Sequence, residues 1–515
     1  MFKSELQAKI NELFDNGEFS AQVEVESRRW FSRMLKYFRQ SKEAGAAAMN
    51  HDNGIHFIGI GGIGMSGLAQ ILIEKGFAVS GSDIRENAQT RKLAAMGAEI
   101  YFGHSSQCLP ESVKRVVVST AIESDNVELQ EARRRNLAIF HRSDLLAELF
   151  NNLKFGIAVS GCHGKTTVTS ILSTIFSESA MDPTCVVGGN VQALQGNARN
   201  GHSEYLIAEA DESDATFLKY FPHTSIITNI DNDHMDHYSS LDAIVKAFEV
   251  FASHNDPDGS IFICQDDPIV RNIALPEDRR IVTYGIDNPA DYMAEDIKLF
   301  PFGSFFRLKI GGVDKGMLEL ALPGKHNVLN ALPAVAIALE AGISLDQIQD
   351  ALKKFHGAGR RFELKGNFHG ITVIDDYGHH PNEIRATLAA AKSLAAKRVM
   401  VVFQPHRYTR TQLLCSEFGR CFEDCDRLFL TDIYPASEKA IEGVSSKLIL
   451  DHMPVAQRRK VKMVKSTNEA LYQLMETLED GDVVFTLGAG DVTQLGPVLI
   501  DAMKSRSELS AARAV

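Results

Sequence analysis

Short runs of apolar residues that end in polar or glycine-rich clusters recur along most of this chain. From residue 55, the run IHFIGI is followed by the turn GGIGMSG and by the helical stretch LAQILIEKG, after which FAVSGSD has the pattern of another strand. A strand, a glycine-rich turn, a helix and a second strand form a βαβ unit, whose parallel strands carry ligands at their carboxyl ends. The pattern therefore predicts an α/β domain with a parallel sheet.

The same pattern occurs in two further series. One begins near Asn152, and the other follows GAGRRF; their strand-like segments are FGIAVS, YLIAEADESD and SIITNIDNDHMDHY in the first, and ITVIDDYGHH, RVMVVFQPHRYTR, RLFLTDIYP and DVVFTLGAGD in the second. No short period relates them, which argues against a solenoid. We expect three α/β domains at 53–152, 153–359 and 360–515. Residues 1–52 have apolar positions at helical spacing, and we expect a helical extension packed on the body or on a second copy.

Length and charge narrow the function classes. The 515 residues exceed one ordinary core and fit roughly three or four domains of ~150 residues. A net charge of -12 gives no general attraction to nucleic acid or anionic membranes, so an anionic substrate needs a local cluster of donors. Seven scattered cysteines without a C-x-x-C pair, and no secretory or transmembrane segment, predict a cytoplasmic protein.

SGCHGKTT, residues 160–167, has the composition of a phosphate-binding loop with unusual spacing. The common form has a glycine five residues before its last glycine, whereas Val159 occupies that position here. The segment still follows a strand and opens the helical stretch VTSILSTIF. In such a loop backbone N–H groups surround a phosphate, Lys165 reaches the terminal phosphates, and Thr166 offers a hydroxyl to Mg²⁺. We therefore predict nucleotide binding at this loop.

A second glycine-rich turn, GIGGIG from Gly59 to Gly64, is followed by Asp83. The spacing matches a dinucleotide-binding turn whose acidic residue binds a ribose hydroxyl. The same turn also fits any diphosphate. The sequence leaves two interpretations open, a dinucleotide site and a site for a nucleotide-linked substrate used together with ATP.

Acidic residues cluster after two strands of the second series. They are Glu209, Asp211, Glu212 and Asp214 after YLIA, and Asp231, Asp233, His234 and Asp236 after SIITN. Mg²⁺ prefers oxygen ligands and uses one or two carboxylates beside phosphates, so most of these acids are expected in caps and turns.

Taken in order, these motifs resemble those of the Mur ligases of bacterial cell-wall synthesis. The resemblance runs from about Ile55 to Pro497 and rests on GIGGIGMSGLA, GSD, GCHGKTT, EADESDA, NIDNDHMD, HNVLNA, GAGRRF, DDYGHHP, FQPHRYTRT and GAGD. Cys162 stands where that family has threonine in its loop. The resemblance implies a Rossmann-like first domain, a central P-loop ATPase-type domain and a Rossmann-like third domain, and it does not include residues 1–52.

The resemblance also implies an activity. It is ATP-dependent ligation of L-alanine to the lactyl carboxylate of UDP-N-acetylmuramate through an acyl phosphate, with Mg²⁺ or Mn²⁺, by a monomer or homodimer that binds neither nucleic acid nor membrane. The segments GIGGIGMSG, DDYGHHP and HRYTR favour L-alanine over the tripeptide that a sister recycling ligase uses.

Roles follow by position within the matching motifs. The implied catalytic residues are Lys165, Glu209 and His234, and the implied metal ligands are Thr166, Glu209 and His234. ATP contacts are implied for Gly161, Cys162, His163, Gly164, Lys165, Thr166, Thr167, Asn327, Asn330, Arg361 and Asp376, with the doublets Arg360-Arg361 and Asp375-Asp376 uncertain by one position. UDP contacts are implied for Gly59, Gly61, Gly62, Gly64, Asp83 and Ser119.

The candidates for L-alanine recognition are Tyr377, His406, Arg407 and Arg410, because an arginine fork matches a carboxylate. A basic cluster after a strand fits a phosphate equally well. Related ligases carry a carbamylated lysine near a metal. The offset of Lys246 from His234 does not match that position, and we interpret Lys246 as a surface lysine. A thiol at Cys162 would be sensitive to oxidation if the helix N-terminus lowered its pKa.

Two other classes remain open at this point. One is a related ligase with a different substrate, of folylpolyglutamate or tripeptide type. The other is a nucleotide-binding regulator that senses a dinucleotide through Gly59–Gly64 and catalyses no turnover.

Overall fold

The structure, a computed structural model, describes residues 54–233, 237–238, 240–436 and 438–513, with side chains described up to residue 506. The helical extension predicted for residues 1–52 lies outside the described residues. The described chain divides into two compact units. The first contains the residues up to Met293 together with Leu332–Ile348, and the second contains Ala294–Ala331 and the residues from Gln349 onward.

The first unit begins with a five-stranded parallel sheet in the order β3-β2-β1-β4-β5. Its elements are β1 (Gly54–Ile58), α1 (Ile63–Glu74), β2 (Val79–Asp83), α2 (Ala88–Ala95), β3 (Glu99–Phe102), β4 (Val113–Val118), α3 (Val127–Arg134), β5 (Ala138–His141) and α4 (Arg142–Asn151). All five residues of β1 are buried, as expected for a strand covered on both faces. The chain order reverses between β1 and β4, so the glycine-rich turn after β1 lies at the position where such sheets bind ligands.

A ten-stranded sheet follows, in the order β15-β14-β13-β12-β11-β10-β6-β9-β7-β8. Its elements are β6 (Phe155–Ser160), α5 (Lys165–Glu178), β7 (Thr184–Val191), β8 (Gly196–Arg199), β9 (Tyr205–Glu209), β10 (Thr224–Ile227), α6 (Leu241–Ser253), β11 (Ser260–Cys264), β12 (Arg280–Gly285), β13 (Tyr292–Phe300), β14 (Gly303–Ile310), β15 (Val313–Leu320), α7 (Lys325–Glu340) and α8 (Leu345–Lys354). Strand β6 pairs in parallel with β10 and β9. The carboxyl ends of these three strands therefore meet at the loop that follows β6.

The second unit contains a six-stranded sheet in the order β16-β17-β21-β18-β19-β20. Its elements are β16 (Glu363–Phe368), β17 (Ile371–Asp376), α9 (Pro381–Ala391), β18 (Arg398–Phe403), α10 (Tyr408–Leu413), α11 (Cys415–Phe418), β19 (Arg427–Leu430), α12 (Lys447–His452), α13 (Val455–Arg458), β20 (Val461–Met463), α14 (Thr467–Thr477), β21 (Asp482–Leu487) and α15 (Leu495–Arg513). Only β16 pairs antiparallel among the strand pairs described for this sheet. Apolar residues form two separate core clusters in this part of the chain.

These sheets confirm the predicted α/β class with its parallel strands. Among the described residues, no helix is both long enough and apolar enough to cross a membrane.

Candidate active site

The loop after β6 ends at the first residue of helix α5, as the sequence predicts for a phosphate-binding loop. Gly161 and Gly164 have φ angles of 130° and 84°, which are left-handed values that favour glycine. Gly164 is the N-cap of α5, and no side chain caps it. The helix therefore begins with open backbone donors and no competing acidic group in its first turn, which suits an anion.

The loop is held against the segment that follows β10. A Cβ atom on Gly161 would overlap the Oγ1 atom of Thr228, so the two segments approach too closely for any side chain at this position. Thr228 Oγ1 donates to the carbonyl of His163 at 2.7 Å, and the His163 N–H donates to Asn229 Oδ1 at 2.8 Å. His163 Nε2 also lies 2.9 Å from Asp231 Oδ2. These contacts fix the loop backbone before any nucleotide arrives.

Lys165 is paired with a buried carboxylate. Its Nζ atom lies 2.6 and 2.8 Å from the two carboxylate oxygens of Glu212 and donates to the Gly161 carbonyl at 2.7 Å. Burial alone would lower the pKa of Lys165, but the carboxylates of Glu212 and Asp211 raise it above its usual value. The ammonium group is therefore charged at neutral pH and is oriented at the floor of the loop.

Two oxygen groups beside the loop fit a hard divalent cation. Thr166 Oγ1 lies 3.2 Å from Glu209 Oε2, and the other oxygen of Glu209 accepts a hydrogen bond from the Gly188 N–H at 2.6 Å. A hydroxyl and a carboxylate next to a phosphate loop are the donor set that Mg²⁺ uses in such sites. The pair Thr166 and Glu209 thus fits the implied metal, while His234 lies outside the described residues.

Lys246 lies on helix α6 and is a surface lysine in this structure. Its side chain is 52 % exposed, and its Nζ atom is 3.7 Å from Glu249 one turn away.

The side chain of Cys162 is buried within the loop. Burial, aided by the charge of Glu212, raises its pKa well above the usual range, and this effect outweighs the nearby Lys165. The sulfur accepts a hydrogen bond from the Asp231 N–H at 3.2 Å. A buried protonated thiol is inert, so the predicted condition for oxidation sensitivity is not met.

The glycine-rich turn at residues 59–64 is held by a carboxylate that bonds to its backbone, unlike the loop at residues 160–167. Asp83 Oδ2 accepts a hydrogen bond from the Gly61 N–H at 2.8 Å, so this carboxylate supports the turn itself. A Cβ atom on Gly61 would overlap Asn87 and lie 2.8 Å from Asp83. Gly62 is the N-cap of α1 and has no capping side chain, and the first turn of α1 contains no acidic residue. Ser119 directly follows β4, at the same carboxyl edge of the sheet.

The members of the two arginine–aspartate doublets in the second unit make different internal contacts. Arg360 lies 3.3 Å from Asp375 and donates to the carbonyl of Gly488 at 2.5 Å, which is a structural arrangement. Asp376 accepts hydrogen bonds from the Phe362 and Gly378 N–H groups, each at 2.8 Å. Burial raises the pKa of Asp376, against the opposing charge of Arg361.

The residues predicted for L-alanine recognition lie near one another in the second unit. The ring of His406 stacks on Tyr434 and approaches His379, each with ring centroids 5.7 Å apart. His379 in turn contacts Tyr377 edge-to-face. Arg407 has a φ angle of 72°, a left-handed value that non-glycine residues adopt rarely and mostly under constraint.

The charges at this cluster favour an anionic group. Burial lowers the pKa of His406 to about 4, and Arg410 and Arg407 add to the shift. His406 is therefore neutral at physiological pH, and the arginines supply the positive charge. The guanidinium groups of Arg360 and Arg361 lie 4.9 and 5.2 Å from the ring centre of Tyr377. This arrangement suits a small carboxylate.

Asn327 and Asn330 both lie on helix α7, as the sequence predicts. Asn327 is 5 % exposed and donates from its amide to the Pro323 carbonyl at 2.7 Å.

Comparison with known proteins identifies the family. The Mur ligase family catalytic domain matches residues 54–154, the Mur ligase middle domain matches 159–338, and the Mur ligase glutamate ligase domain matches 360–490. The UDP-N-acetylmuramate–L-alanine ligase of Solibacter usitatus (strain Ellin6076) is 46% identical over 456 residues, covering 88% of this chain and 96% of that protein. The chain belongs to the Mur ligase family.

Other Mur ligases agree with this assignment. The UDP-N-acetylmuramate–L-alanine ligase of Pelotomaculum thermopropionicum is 46% identical over 90% of this chain and 100% of its own length. A crystal structure of the UDP-N-acetylmuramate–alanine ligase of Thermotoga maritima has a TM-score of 0.75 and 28% identity, covering 88% of this chain and 99% of that one. A murein peptide ligase from Psychrobacter arcticus, with a TM-score of 0.66 and 24% identity over 88% of this chain and 98% of that one, shares the fold.

Sequence reasoning missed the partners that hold the loop. In the sequence Glu212 is one of several acids after β9, whereas in the structure it is fully buried and paired with Lys165. Asn229 and Thr228 gave no signal, because their role depends on the close approach of β10 to β6. A buried lysine needs a counter-charge, and this requirement was the one available clue to Glu212.

Proposed function

We propose that this Mur ligase joins L-alanine to the lactyl carboxylate of UDP-N-acetylmuramate at the expense of ATP. The observation that carries the proposal is the identity of 46% to a named UDP-N-acetylmuramate–L-alanine ligase over 88% of this chain and 96% of that protein. The loop with Lys165 and the basic cluster around His406 are the sites through which the chain would perform the two halves of the reaction. Free cysteines at all seven positions support a cytoplasmic location.

The first half-reaction activates the carboxylate. A lactyl carboxylate oxygen attacks the γ-phosphorus of ATP, the bond between that phosphorus and the β-phosphate oxygen breaks, and an acyl phosphate and ADP are formed. Two anions must approach each other in this step, so charge neutralisation and positioning dominate its barrier. Lys165 supplies the positive charge at the γ-phosphate. Glu212 holds its ammonium group at the loop floor, from which it moves to the phosphate when ATP binds.

The second half-reaction forms the amide. The amino group of L-alanine attacks the acyl carbon, and the tetrahedral intermediate expels phosphate. In the proposal Arg407 and Arg410 bind the carboxylate of L-alanine, with His406 and Tyr377 against its small side chain. Thr166 and Glu209 would hold Mg²⁺, which shields the charge of the ATP phosphates when it is bound. Asn327, Asn330, Arg361 and Asp376 are proposed contacts to ATP.

The UDP portion of the substrate is proposed to bind at the first turn. The backbone of this turn is formed in part by Gly59, Gly61, Gly62 and Gly64. Asp83 at the end of β2 and Ser119 after β4 lie at the same edge of the sheet. A metal role for His234 remains part of the proposal, as do the domain bounds 53–152, 153–359 and 360–515.

The deciding experiment measures phosphate release with Mg²⁺, ATP, UDP-N-acetylmuramate and L-alanine, omitting each component in turn. The expected result is release that requires all four, with a nucleotide product heavier by one alanyl residue. Release with L-alanyl-γ-D-glutamyl-diaminopimelate and none with L-alanine would instead establish a recycling ligase. NAD(H) binding without phosphate release for any acceptor would refute the ligase proposal altogether.

A further inference from the structure

Arg142 lies between the two nucleotide loops of the first unit. It is the first residue of helix α4 and directly follows β5. A Cβ atom built on Gly64, in the first glycine-rich turn, would lie 3.5 Å from Arg142 Nη1. On the other side, Arg142 Nη2 is 3.7 Å from Asp211 Oδ2, two residues after Glu209 of the phosphate loop site. The guanidinium group therefore adjoins the turn that carries the uridine nucleotide in the proposed function.

The backbone that carries Arg142 is fixed without a ligand. His141 and Asp144 form a reciprocal cap around it, with the His141 N–H donating to Asp144 at 2.9 Å. Lys219 holds Asp144 in place at 2.7 Å. The backbone at Arg142 is therefore held in place, and the side chain can reach a ligand at the turn by rotation about its own bonds.

Arg142 has one long ion pair, with Asp211, and no hydrogen bond from its guanidinium group among the described residues. Its distance to Asp211 exceeds the roughly 2.7–2.9 Å of a charge-assisted hydrogen bond. Within the described ranges, no carbonyl or carboxylate accepts a hydrogen bond from its guanidinium group. Its side chain is 29 % exposed. A partly exposed guanidinium group without a hydrogen bond can offer its planar pair of N–H donors to an anion at the turn.

The turn supplies the complementary half of an anion site. Helix α1 begins at Ile63 with no capping side chain and no acidic residue in its first turn, so its backbone donors face an incoming group. A helix of 12 residues also carries a partial positive charge at this end. Because the whole chain has a net charge of -12, a diphosphate needs such a local concentration of donors.

We propose that Arg142 binds the diphosphate of the uridine substrate at the Gly59–Gly64 turn, an inference that rests on the proposed function. Before binding, Asp211 holds the guanidinium group by a long ion pair. When the diphosphate arrives, the fork of Arg142 closes on its oxygens from the side opposite the helix donors. Arg142 thereby adds the side-chain cation that the glycine turn itself lacks.

The test compares ligand binding by calorimetry for the wild type, Arg142→Ala and Arg142→Lys. The probes are UDP, uridine and ATP. We expect Arg142→Ala to weaken UDP binding about 10- to 100-fold, with Arg142→Lys between it and the wild type, since lysine gives a point charge without a fork. Uridine and ATP affinities should stay within about twofold, which separates loss of a phosphate contact from loss of folding.

Two further variants sharpen the result. Arg134→Ala is the control. It removes an arginine on helix α3 whose side chain is 72 % exposed, and it should leave UDP binding unchanged. Asp211→Asn removes the counter-charge and should keep or strengthen UDP binding. UDP affinity unchanged in Arg142→Ala, or equal losses of UDP and uridine affinity, would overturn the inference. A wild type that binds neither UDP nor UDP-N-acetylmuramate would instead contradict the proposed function.

Discussion

The two glycine-rich turns of the first unit have the same backbone plan and different side chains. Each follows a buried parallel strand and opens a helix whose N-cap is a glycine without a capping side chain. The loop at 160–167 places Lys165 and Thr166 at the first two helical positions, whereas the turn at 59–64 places Ile63 and Gly64 there. In both segments the backbone thus leaves uncapped N–H donors at a helix start, an arrangement that suits a phosphate. In the proposed function, the side chains Lys165 and Thr166 at the helix start distinguish the loop that acts on the transferred phosphate from the turn that only binds a diphosphate.

The two segments also differ in how they are held. The loop is clamped from outside by Thr228, Asn229 and Glu212, which belong to neighbouring strand ends. The turn is held by Asp83 at the end of β2 and by Asn87, and the Asn197 amide donates to the Ile63 carbonyl at the start of its helix. A transferring phosphate requires a rigid cationic floor, while a bound diphosphate requires mainly space and donors.

The largest expected effect comes from removing the cation of the loop. Lys165→Met should lower kcat/KM by about 10³-fold, or ~4 kcal/mol of transition-state stabilisation, since the γ-phosphate loses its positive partner. The rate of phosphate release, measured over a range of ATP concentrations with the other substrates fixed, gives kcat/KM for both proteins.

A second variant controls for folding in that experiment. Lys165→Met leaves Glu212 buried without a counter-charge, which costs stability on the order of 3 kcal/mol. The double variant Lys165→Met/Glu212→Gln should therefore recover thermal stability and remain inactive. If the double variant regained activity, Lys165 would have only a structural role.

A matched pair of glycine substitutions tests whether the two loops serve different ligands. Gly161→Ala would overlap Thr228 in a left-handed conformation, and Gly61→Ala would overlap Asn87. We expect Gly161→Ala to raise the KM for ATP roughly 10- to 100-fold and Gly61→Ala to raise the KM for UDP-N-acetylmuramate by a similar factor, each with little effect on the other ligand.

Gly97→Ala is the control for that pair. Gly97 has a φ angle of 101°, but nothing lies within 4 Å of a Cβ atom there, so it isolates backbone strain from overlap. If each variant raised the KM for ATP and the KM for UDP-N-acetylmuramate to a similar extent, the two turns would form one site and would not serve different ligands.

A smaller effect is expected at the proposed metal ligands. Thr166→Val keeps the shape of the side chain and removes the hydroxyl 3.2 Å from Glu209. The Mg²⁺ concentration for half-maximal rate should rise about tenfold, since one oxygen ligand is lost. UDP binding measured without metal should not change. An unaltered Mg²⁺ requirement would remove Thr166 from the metal site.

The sequence was sufficient for the class of the fold and for the residues inside the loops. Apolar runs ending in glycine or acid located the strands, because parallel strands buried on both faces leave that local pattern. The partners of these residues were not predictable. The pairing of Lys165 with Glu212 joins positions 47 apart in the chain and depends on β9 lying beside β6.

The pKa of the Cys162 thiol could not be predicted from the sequence either, because it depends on tertiary contacts. A position at the start of a helix lowers the pKa of an exposed thiol, and the sequence leaves open whether this applies to Cys162. The structure buries it under the segment after β10 and near the carboxylate of Glu212, and both effects act in the other direction. Burial is a tertiary property, and the loop sequence alone does not contain it.

The smallest expected effect is therefore at Cys162, where the loop departs from the threonine of its family. Cys162→Thr should change kcat/KM by less than about threefold, because the loop uses the backbone at this position and the side chain is 8 % exposed. Alkylation of Cys162 by iodoacetamide, followed by mass spectrometry, should be slow at neutral pH and faster only in strongly alkaline solution, since a raised pKa keeps the thiol protonated. Cys415, the one cysteine that is not buried, serves as the internal reference and should react first. Rapid modification of Cys162 at neutral pH, prevented by ATP, would mean that this loop opens in solution and that the contacts with Thr228, Asn229 and Glu212 do not keep it rigid.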